Sequence, residues 1–571
     1  MDNKGIADSF DELAELLEFK DENPFRVRAY RQGAAAIRNL DESVTEIVND
    51  PKRNLSELPG IGKTLAEKAE ALVREGRLAK LEQLRAEVPP LLIEMSRVPG
   101  LGVKKATALL DALDLKSLDD LRNACESGEV AAIKGFGKKT ATTILDGIEL
   151  AAKANERMLW LAADELAAAI TDHMEGCEGV SQMQWAGSYR RRKETVGDLD
   201  LLVVAQDRGA AMDHLERFPG KSQTIARGDT KLSIRVDDGY QVDLRCVEAE
   251  EFGAALQYFT GSQTHNVRTR GLAKAQGLKI NEYGVFSVED GSRVAGATEA
   301  DVYAAIGLPY IEPELREDRH EFAWAESGEL PPLIELSDIR GDLHMHTTAT
   351  DGKNTIREMA DAAIARGLQY IAITDHSQRV RMAGGLDAEA LRQQWDLIDD
   401  IRTEYLGRLE ILKGIECDIL EAGGMDLPDD VLCEADWVLA SIHFGQRQPR
   451  DQITDRMIGA IQNEFVSCIA HPTGRLLNKR PAYDIDMEAV LQAASEHGTR
   501  MELNASPKRL DLNDLHLAAA KRFGVPIVIS TDAHRIEGMN VMRCGILQAR
   551  RGGLTKDDVA NTQTVEQFLR R

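Results

Sequence analysis

Beyond residue 338, short apolar runs alternate with helical stretches along the rest of the chain. In order, the seven runs are DLHMH, YIAIT, EILKGI, WVLASI, VSCIA, RMELNA and PIVIS. Strands that alternate with helices favour a parallel barrel or a doubly wound sheet, in which the carboxyl ends of all strands meet at one edge. Six of the runs end at, or within two residues of, a His, Asp or Glu. The sequence therefore predicts a polar site at that edge.

These strand ends and the loops after them carry nine potential metal ligands. A lone histidine at a strand end is usually a structural residue, but six of them at successive strand ends indicate a metal centre. Nitrogen and oxygen ligands without sulfur suit Zn²⁺, Mn²⁺ or Fe²⁺. Nine ligands exceed the needs of one ion, so we expect two or three ions that share carboxylates. The predicted ligands are His344, His346, Asp351, His376, Glu416, His443, His471, Asp532 and His534.

A second acidic motif lies within GSYRRRKETVGDLD, residues 187–200. Asp198 and Asp200 alternate on a predicted strand, so both carboxylates project from one face, and Asp243 lies on a second strand-like run. Carboxylates that converge in this way repel one another unless divalent cations lie between them, and two Mg²⁺ or Mn²⁺ ions would satisfy them. Donors for an anionic phosphate chain are offered by Gly187, Ser188 and Arg190. The motif predicts a two-metal site for phosphoryl chemistry.

One G-x-G pattern occurs three times in the helix-rich first 150 residues, as LPGIGKTLAEKA, VPGLGVKKATAL and IKGFGKKTATTI. Glycines at both turn positions let backbone N–H groups approach a ligand, and the next helix directs its positive dipole end there. Ordinary glycine-capped turns would explain one copy, but three copies with a nearby lysine indicate a phosphate clamp. The pattern resembles the helix-hairpin-helix motif, which holds the DNA backbone without reading bases. The predicted DNA contacts are Gly60, Gly62, Lys63, Gly100, Gly102, Lys104, Gly135, Gly137 and Lys138.

The overall charge has the sign that a nucleic-acid-binding protein would usually avoid. Of 571 residues, 70 are basic and 95 are acidic, which gives a net charge of −25. Six of the acidic residues are predicted metal ligands, and nine lie in the proline-containing stretch 312–338, which we interpret as an inter-domain linker. Because the excess of negative charge is local, it does not exclude DNA binding. We expect a modest, salt-sensitive affinity carried by few phosphate contacts.

Neither a membrane protein nor a disulfide framework is expected. No stretch approaches the roughly 18 uncharged apolar residues of a membrane span, and the acidic start of the chain is unlike a signal peptide. The seven cysteines are scattered without a C-x-x-C motif, which suits a reducing cytoplasm. We therefore expect a cytoplasmic protein, and we expect it to be a monomer.

The acidic motif resembles the nucleotidyltransferase signature of family X DNA polymerases, and the YFTGS and INEYG segments resemble that family's sugar-checking and thumb motifs. The resemblance implies that Asp198, Asp200 and Asp243 hold the metals and that Arg270 lies near the template. Gln241 departs from the pattern, because the vertebrate repair enzymes carry Arg two positions before the third Asp. By the same resemblance, the triphosphate contacts are Ser188, Arg190 and Gly197. The sugar and base pocket would be lined by Tyr258, Phe259, Gly261 and Asn266.

The C-terminal ligand spacing resembles the PHP (polymerase and histidinol phosphatase) domain, a distorted seven-stranded β/α barrel. All nine ligand types are present, which implies phosphodiester hydrolysis with 3′→5′ removal of nucleotides. Two alternatives remain: a PHP domain with a structural role, and a small-molecule phosphoesterase. Lys68 occupies the place of the family's Schiff-base lysine, which removes 5′-deoxyribose phosphate in some members. A surface lysine that supports DNA binding explains that position as well, so we expect weak lyase activity at most.

Together, these patterns predict a multidomain α and α/β protein. Helical domains with helix-hairpin-helix motifs precede an α+β palm, a thumb and a C-terminal PHP barrel. The expected activity is template-directed gap filling on gapped or primed DNA with deoxynucleoside triphosphates. The predicted boundaries are 1–85 and 86–153 for the helical domains, 154–255 for the palm, 256–311 for the thumb, 312–338 for the acidic linker and 339–571 for the PHP domain.

Overall fold

The computed structural model describes residues 3–20, 22–96, 98, 101–155, 157–237 and 239–570. The chain divides into two compact units. One contains residues 1–157, 219–226 and 233–242, and the other contains 158–218, 227–232 and 243–571. No helix among the described residues is both long and apolar enough to cross a membrane.

Two helical clusters, each with its own apolar core, occupy residues 3–155. In the first helix, Ile6, Phe10, Leu13 and Leu17 recur at helical spacing and are fully buried, which gives the helix one apolar face. The helices are α1 (Asn3–Phe19), α2 (Pro24–Arg38), α3 (Val44–Asn49), α4 (Lys63–Glu75), α5 (Ala79–Glu87), α6 (Pro90–Ser96), α7 (Val103–Ala112), α8 (Leu118–Glu126), α9 (Glu129–Ala132) and α10 (Lys138–Asn155).

The palm is an α+β layer whose five-stranded sheet has the order β2-β4-β7-β6-β5. In β4, Leu199 and Leu201 are buried on one face, so the alternating Asp198 and Asp200 point to the other. The elements are β1 (Met158–Leu159), α11 (Trp160–Glu175), β2 (Val180–Trp185), α12 (Gly187–Arg190), β3 (Thr195–Val196), β4 (Asp198–Ala205), α13 (Arg208–Glu216), β5 (Lys221–Arg227), β6 (Lys231–Val236) and β7 (Tyr240–Cys246).

The thumb combines helices with an antiparallel sheet of order β10-β9-β8. Ala254, Ile280, Val285 and Tyr303 join its helices and strands in one apolar core. Its elements are α14 (Phe252–Thr260), α15 (Gln263–Ala275), β8 (Leu278–Asn281), β9 (Gly284–Ser287), β10 (Arg293–Ala295) and α16 (Glu299–Ala305).

The acidic segment 312–338, predicted to be an inter-domain linker, is folded and packed. It contains helix α17 (Glu321–Ser327), and the side chains of Glu314, Glu317 and Glu321 are almost completely buried. Cations outside the segment pair with two of them: Arg550 lies 2.8 Å from Glu314, and Arg551 lies 3.1 Å from Glu317. The sequence pattern could not show this, because the compensating residues are distant along the chain.

Seven parallel strands in sequential order form the C-terminal sheet. Its strands are buried on both faces, as expected where helices cover a parallel sheet. A parallel bridge between Met345 and Ala533 links the segments that follow the first and last strands, so the barrel nearly closes. The strands are β11 (Gly341–Asp342), β12 (Tyr370–Ile373), β13 (Glu410–Asp418), β14 (Trp437–Ser441), β15 (Cys468–Ile469), β16 (Arg500–Asn504) and β17 (Ile527–Ser530).

Helices fill the connections between these strands, which confirms the predicted β/α alternation. They bury apolar residues such as Met359, Ile398 and Leu491 against the sheet in one large core. The helices are α18 (Ile356–Ala365), α19 (Ala388–Tyr405), α20 (Asp429–Leu432), α21 (Arg450–Ile461), α22 (Met487–His497), α23 (Asp514–Phe523), α24 (Met542–Arg551) and α25 (Val565–Phe568).

The tight crossing of α14 over the chain before α16 yields a stability prediction. A Cβ atom on Gly253 would lie 2.1–2.5 Å from backbone atoms of Thr298, whereas one on Gly271 in α15 would meet nothing within 4 Å. We expect Gly253→Ala to destabilise the thumb by about 1–3 kcal/mol. Gly271→Ala, the matched control, should be neutral or stabilising by up to about 1 kcal/mol. Thermal denaturation followed by calorimetry measures both, and equal melting temperatures would contradict the close packing.

Candidate active sites

Glu416, on β13, lies at the centre of the histidine-rich site of the barrel. It is 1 % exposed, and ring nitrogens of His376 and His471 lie 2.9 and 3.0 Å from its carboxylate oxygens. The other neighbours, at 3.5–3.7 Å, are His344, His346 and His443. Burial alone would raise the pKa of Glu416, but the histidines around it hold that pKa well below its usual range. The Glu416 carboxylate is therefore ionised, and its position would let neighbouring metal ions share it.

Two more carboxylates flank this centre. Asp532 lies 3.2 Å from His346, and Asp351 lies 3.3 Å from His534. Burial lowers the pKa of the His534 ring, but Asp351 and Asp532 outweigh it and raise that pKa to about 9. The structure thus brings all nine predicted ligands together at the carboxyl ends of the strands.

The ligands form overlapping groups rather than one shell. Within the described chain, groups of three or more His, Cys, Asp or Glu whose ligand atoms all lie within 4.8 Å of one another occur only here. Because the groups share His346, His376 and Glu416, neighbouring ions would have ligands in common. The groups are His346–Asp351–His376–His534, His344–His346–Glu416 and His376–Glu416–His443.

Unsatisfied polar atoms show that this donor set fits metal ions. In the described part of the chain, both ring nitrogens of His346 are buried without a hydrogen-bond partner, as are Nε2 of His344, Nδ1 of His471 and Oδ1 of Asp351. Buried polar atoms are normally hydrogen-bonded, so several such atoms without a partner at one point fit the ligand set of a cation. His471 and Asp532 also have positive φ angles of 29° and 55°, an unfavourable backbone conformation of the kind found at functional sites.

Acidic residues behind the ligands fix the orientation of the rings. Glu502, on β16, is fully buried; one carboxylate oxygen lies 2.7 Å from Nδ1 of His344, and the other accepts from the backbone N–H of His471 at 2.6 Å. Asp418 accepts from the backbone N–H of His443 and lies 3.1 Å from its Nδ1. Sequence reasoning missed both residues. The sequence offered no local signal for them, because their roles depend on which side chains the neighbouring strands bring close.

Asp375 supports the site without joining the ligand groups. Its carboxylate accepts hydrogen bonds from the backbone N–H and hydroxyl of Thr347, from the hydroxyl of Thr350, and from the side-chain amide of Gln394. These donors occupy both oxygens, which fits an orienting role beside His376. It anchors the loop that leads to Asp351.

The second site lies on the palm, where Asp200 is mostly buried between Asp198 and Asp243. Burial raises the pKa of Asp200, and the charges of the other two carboxylates add to this, to about 7. The carboxylates are thus close enough to repel, as predicted, and a divalent cation would relieve that repulsion. Gly187 approaches this residue closely, because a Cβ there would lie 2.5 Å from an Asp200 oxygen. The start of the predicted phosphate-binding motif therefore lies directly beside the carboxylates.

Lys231 supplies a positive charge that the sequence pattern does not indicate. Its ammonium lies 2.6 Å from an Asp243 carboxylate oxygen. Gln241 stands where the vertebrate enzymes carry Arg, so the neighbouring strand β6 provides the cation that β7 lacks. The sequence carries no signal for Lys231, because the pairing of β6 with β7 decides which lysine lies beside Asp243.

The predicted triphosphate contacts differ in their availability. Ser188 and Arg190 lie on α12, and Gly197 is exposed just before β4. The Arg190 guanidinium forms a bidentate ion pair with Glu299 at 2.6 and 2.9 Å, and the Arg190 side chain is 13 % exposed. A phosphate contact by Arg190 would require this pair to open.

The predicted sugar and base pocket lies around the end of α14. The rings of Tyr258 and Phe259 meet edge to face at 5.1 Å, and Gly261 has a positive φ of 67°. Asn266 is buried and donates to the backbone carbonyl of Tyr258, so it braces this turn. Arg270 is exposed one turn further along α15.

The three hairpins present their glycines and lysines to solvent. Between each pair of glycines, a buried apolar side chain (Ile61, Leu101 or Phe136) anchors the turn in the helical core. The exposed residues are Gly62, Lys63, Gly102, Lys104, Gly135, Gly137 and Lys138, with Gly60 on the same turn at φ 80°. The predicted contact at Gly100 lies outside the described residues. Lys68 is half-buried on α4, and its lyase role stays a prediction.

Separate stretches of the chain match five known families. Helix-hairpin-helix families match residues 1–78 and 92–150, DNA polymerase beta palm matches 162–228, DNA polymerase beta thumb matches 255–317, and the PHP domain matches 342–506. The chain is 41% identical to the "DNA polymerase/3'-5' exonuclease PolX" of Bacillus subtilis (strain 168), over the full length of both chains. The chain belongs to the family X DNA polymerases that carry a C-terminal PHP domain. The predicted family and fold class are confirmed. The polymerase family and the PHP family both depend on metal ions.

The PHP part of this family X member also resembles smaller proteins. A "Probable phosphatase" of Thermoanaerobacter sp. (strain X514) is 34% identical over 40% of the chain and 94% of its own length. Another from Shewanella sp. (strain MR-4) is 33% identical over 34% of the chain and 75% of its own length. Similar sequences therefore occur without a polymerase.

Glu502 generates a prediction about metal affinity. An amide in its place can accept at only one oxygen, so Glu502→Gln leaves either His344 or the His471 N–H without its acceptor. We expect metal affinity to fall about 10–100-fold, as measured by metal content after dialysis against a chelator series. Glu488→Gln on α22, whose carboxylate pairs with Arg522 away from the predicted ligands, is the matched control. Equal metal retention in both variants would contradict this role.

Proposed function

We propose that this chain is a DNA-directed DNA polymerase that fills short gaps during DNA repair, and that its PHP domain removes nucleotides in the 3′→5′ direction. The observation that carries the proposal is the presence of two complete and separate acidic sites within one chain of the family. The substrates are gapped or primed DNA and deoxynucleoside triphosphates. We place the protein in the cytoplasm as a monomer.

For polymerisation, Asp198, Asp200 and Asp243 would hold Mg²⁺ or Mn²⁺, which activates the primer hydroxyl and stabilises the leaving pyrophosphate. The backbone at Gly187 and the hydroxyl of Ser188 offer donors to the triphosphate. The turn at Tyr258, Phe259 and Gly261 limits the space beside the sugar, which would exclude a 2′-hydroxyl. The hairpins hold the DNA backbone through N–H groups and lysines, so binding does not depend on base sequence.

For hydrolysis, the nine barrel ligands would hold two or three Zn²⁺, Mn²⁺ or Fe²⁺ ions, which lower the pKa of bound water and offset charge on the phosphate. Glu416 is central because it can serve neighbouring groups at once. Glu502 and Asp418 keep His344 and His443 in fixed orientations, which preserves the spacing of the groups.

Two double variants test the separation of the activities. Asp198→Ala with Asp200→Ala should abolish primer extension and leave nuclease activity intact, because the barrel ligands are unchanged. His344→Ala with His346→Ala should do the reverse. Primer-extension and degradation assays with Mg²⁺ or Mn²⁺ measure both activities on the same labelled duplex. Loss of nuclease activity in a folded Asp198→Ala Asp200→Ala variant would contradict the two-site model.

The similarity to proteins named probable phosphatases favours a second candidate for the barrel, a small-molecule phosphoesterase. If 3′→5′ exonuclease is the function, a single-stranded oligonucleotide should be hydrolysed with a kcat/KM far above that for p-nitrophenyl phosphate. A higher kcat/KM for p-nitrophenyl phosphate than for the oligonucleotide in wild type would favour the phosphoesterase, provided that the His344→Ala His346→Ala variant loses this hydrolysis. A structural barrel would hydrolyse neither substrate and bind fewer than two ions.

A further inference from the structure

The phosphate-binding segment of the palm, residues 187–194, is bonded to the PHP domain at two points. Nη1 of Arg551, at the end of α24, donates to the backbone carbonyl of Arg191 at 2.6 Å. Further along, the Glu194 carboxylate accepts from Arg475 at 2.6 and 3.1 Å and from the Gln548 amide at 2.7 Å. The segment is therefore held by side chains that lie more than 280 residues later in the chain.

Arg551 is the centre of this attachment. Its side chain is 1 % exposed, and Nη1 also lies 3.1 Å from the Glu317 carboxylate. Its Nη2 donates to Asp514, at the start of α23. Asp514 also pairs with Arg319 at 2.8 Å. A buried guanidinium with acceptors on two sides is fixed in one orientation.

Glu317 connects Arg551 to the side chains of the phosphate-binding segment. Arg191 and Lys193 approach its carboxylate at 3.2 and 3.4 Å, and Glu317 is itself almost fully buried. Arg191, Lys193, Arg319 and Arg551 thus share the two carboxylates of Glu317 and Asp514. The cluster keeps a surplus of positive charge directly beside the segment, which favours a polyanion there.

The backbone of the segment closes in a short turn, in which the N–H groups of Arg192 and Lys193 donate to the carbonyls of Tyr189 and Ser188, and it gains further support from outside. Helix α12 has only four residues, too few to be stable alone. Gly187 and Arg192 have positive φ angles of 64° and 58°, and for Arg192 this left-handed conformation is unfavourable. Contacts from elsewhere must therefore hold the segment in place.

We propose that Arg551 is a positioning residue for the polymerase reaction: it holds the 187–194 backbone in the conformation that receives the nucleotide triphosphate. The PHP domain then serves nucleotide binding whether or not its own metal site is active. The inference rests on the proposed polymerase function and adds a residue of the nuclease domain to that reaction.

Single-nucleotide gap filling by the full-length protein tests this role. Arg551→Met should raise the KM for the nucleotide about tenfold or more, while kcat falls less, because the segment loses its anchor and not its chemistry. Arg551→Lys retains the charge and should recover part of the loss. Nuclease activity on single-stranded DNA and metal content should stay within twofold of wild type in both variants.

Arg550→Met is the matched control. Arg550 neighbours Arg551 and pairs with Glu314 in the acidic segment, yet it does not bond to residues 187–194. Its nucleotide KM should stay at the wild-type value. If Arg551→Met does not fold, Glu317→Gln carries the test, since it removes the negative charge shared by Arg191, Lys193 and Arg551 and should raise KM in the same direction.

A folded Arg551→Met variant with a wild-type nucleotide KM would overturn the inference, as would an equal rise in KM for Arg550→Met. Failure of the proposed function is distinguishable, because the wild-type protein would then not extend primers at all. Faster amide hydrogen exchange confined to 187–194 in Arg551→Met would support the positioning role independently of activity.

Discussion

A buried carboxylate is costly unless a positive charge reaches it, and the palm, thumb and PHP parts of this protein are organised around that constraint. Glu416 is surrounded by five histidines, and Glu299 is held between Arg190 and Arg316. Asp243 pairs with Lys231 on the neighbouring strand. Where the partners of the carboxylate are histidines with unsatisfied ring nitrogens, the site is suited to metal ions. Where they are arginines, the arrangement is a structural joint.

Local sequence patterns predicted both acidic sites because each depends on spacing within a strand or at its end. Alternation places Asp198 and Asp200 on one face of β4, and parallel topology gathers the strand-end histidines at one edge. The β/α alternation likewise predicted the barrel. Residues such as His344 and Glu416 could therefore be assigned from their positions along the chain alone.

Partners that come from distant parts of the chain could not be predicted in this way. The sequence around 312–338 indicates an inter-domain linker, and its packing could not be predicted because its arginine partners, Arg550 and Arg551, are more than 200 residues away. Glu502 was missed because nothing local indicates that its strand delivers it behind His344. Arg190 was assigned to phosphate on its motif alone, while the ion pair with Glu299 depends on how the thumb packs on the palm.

The joint between Arg551 and the Arg191 carbonyl also fixes an order of events during synthesis. The palm and thumb family matches end by residue 317, yet the segment proposed to receive the nucleotide is bonded to residue 551. A growing chain that lacks α24 carries every catalytic carboxylate of the palm without the anchored phosphate-binding backbone. If Arg551 positions this segment as proposed, a chain that is still being synthesised would reach its full nucleotide affinity only after α24 has been made.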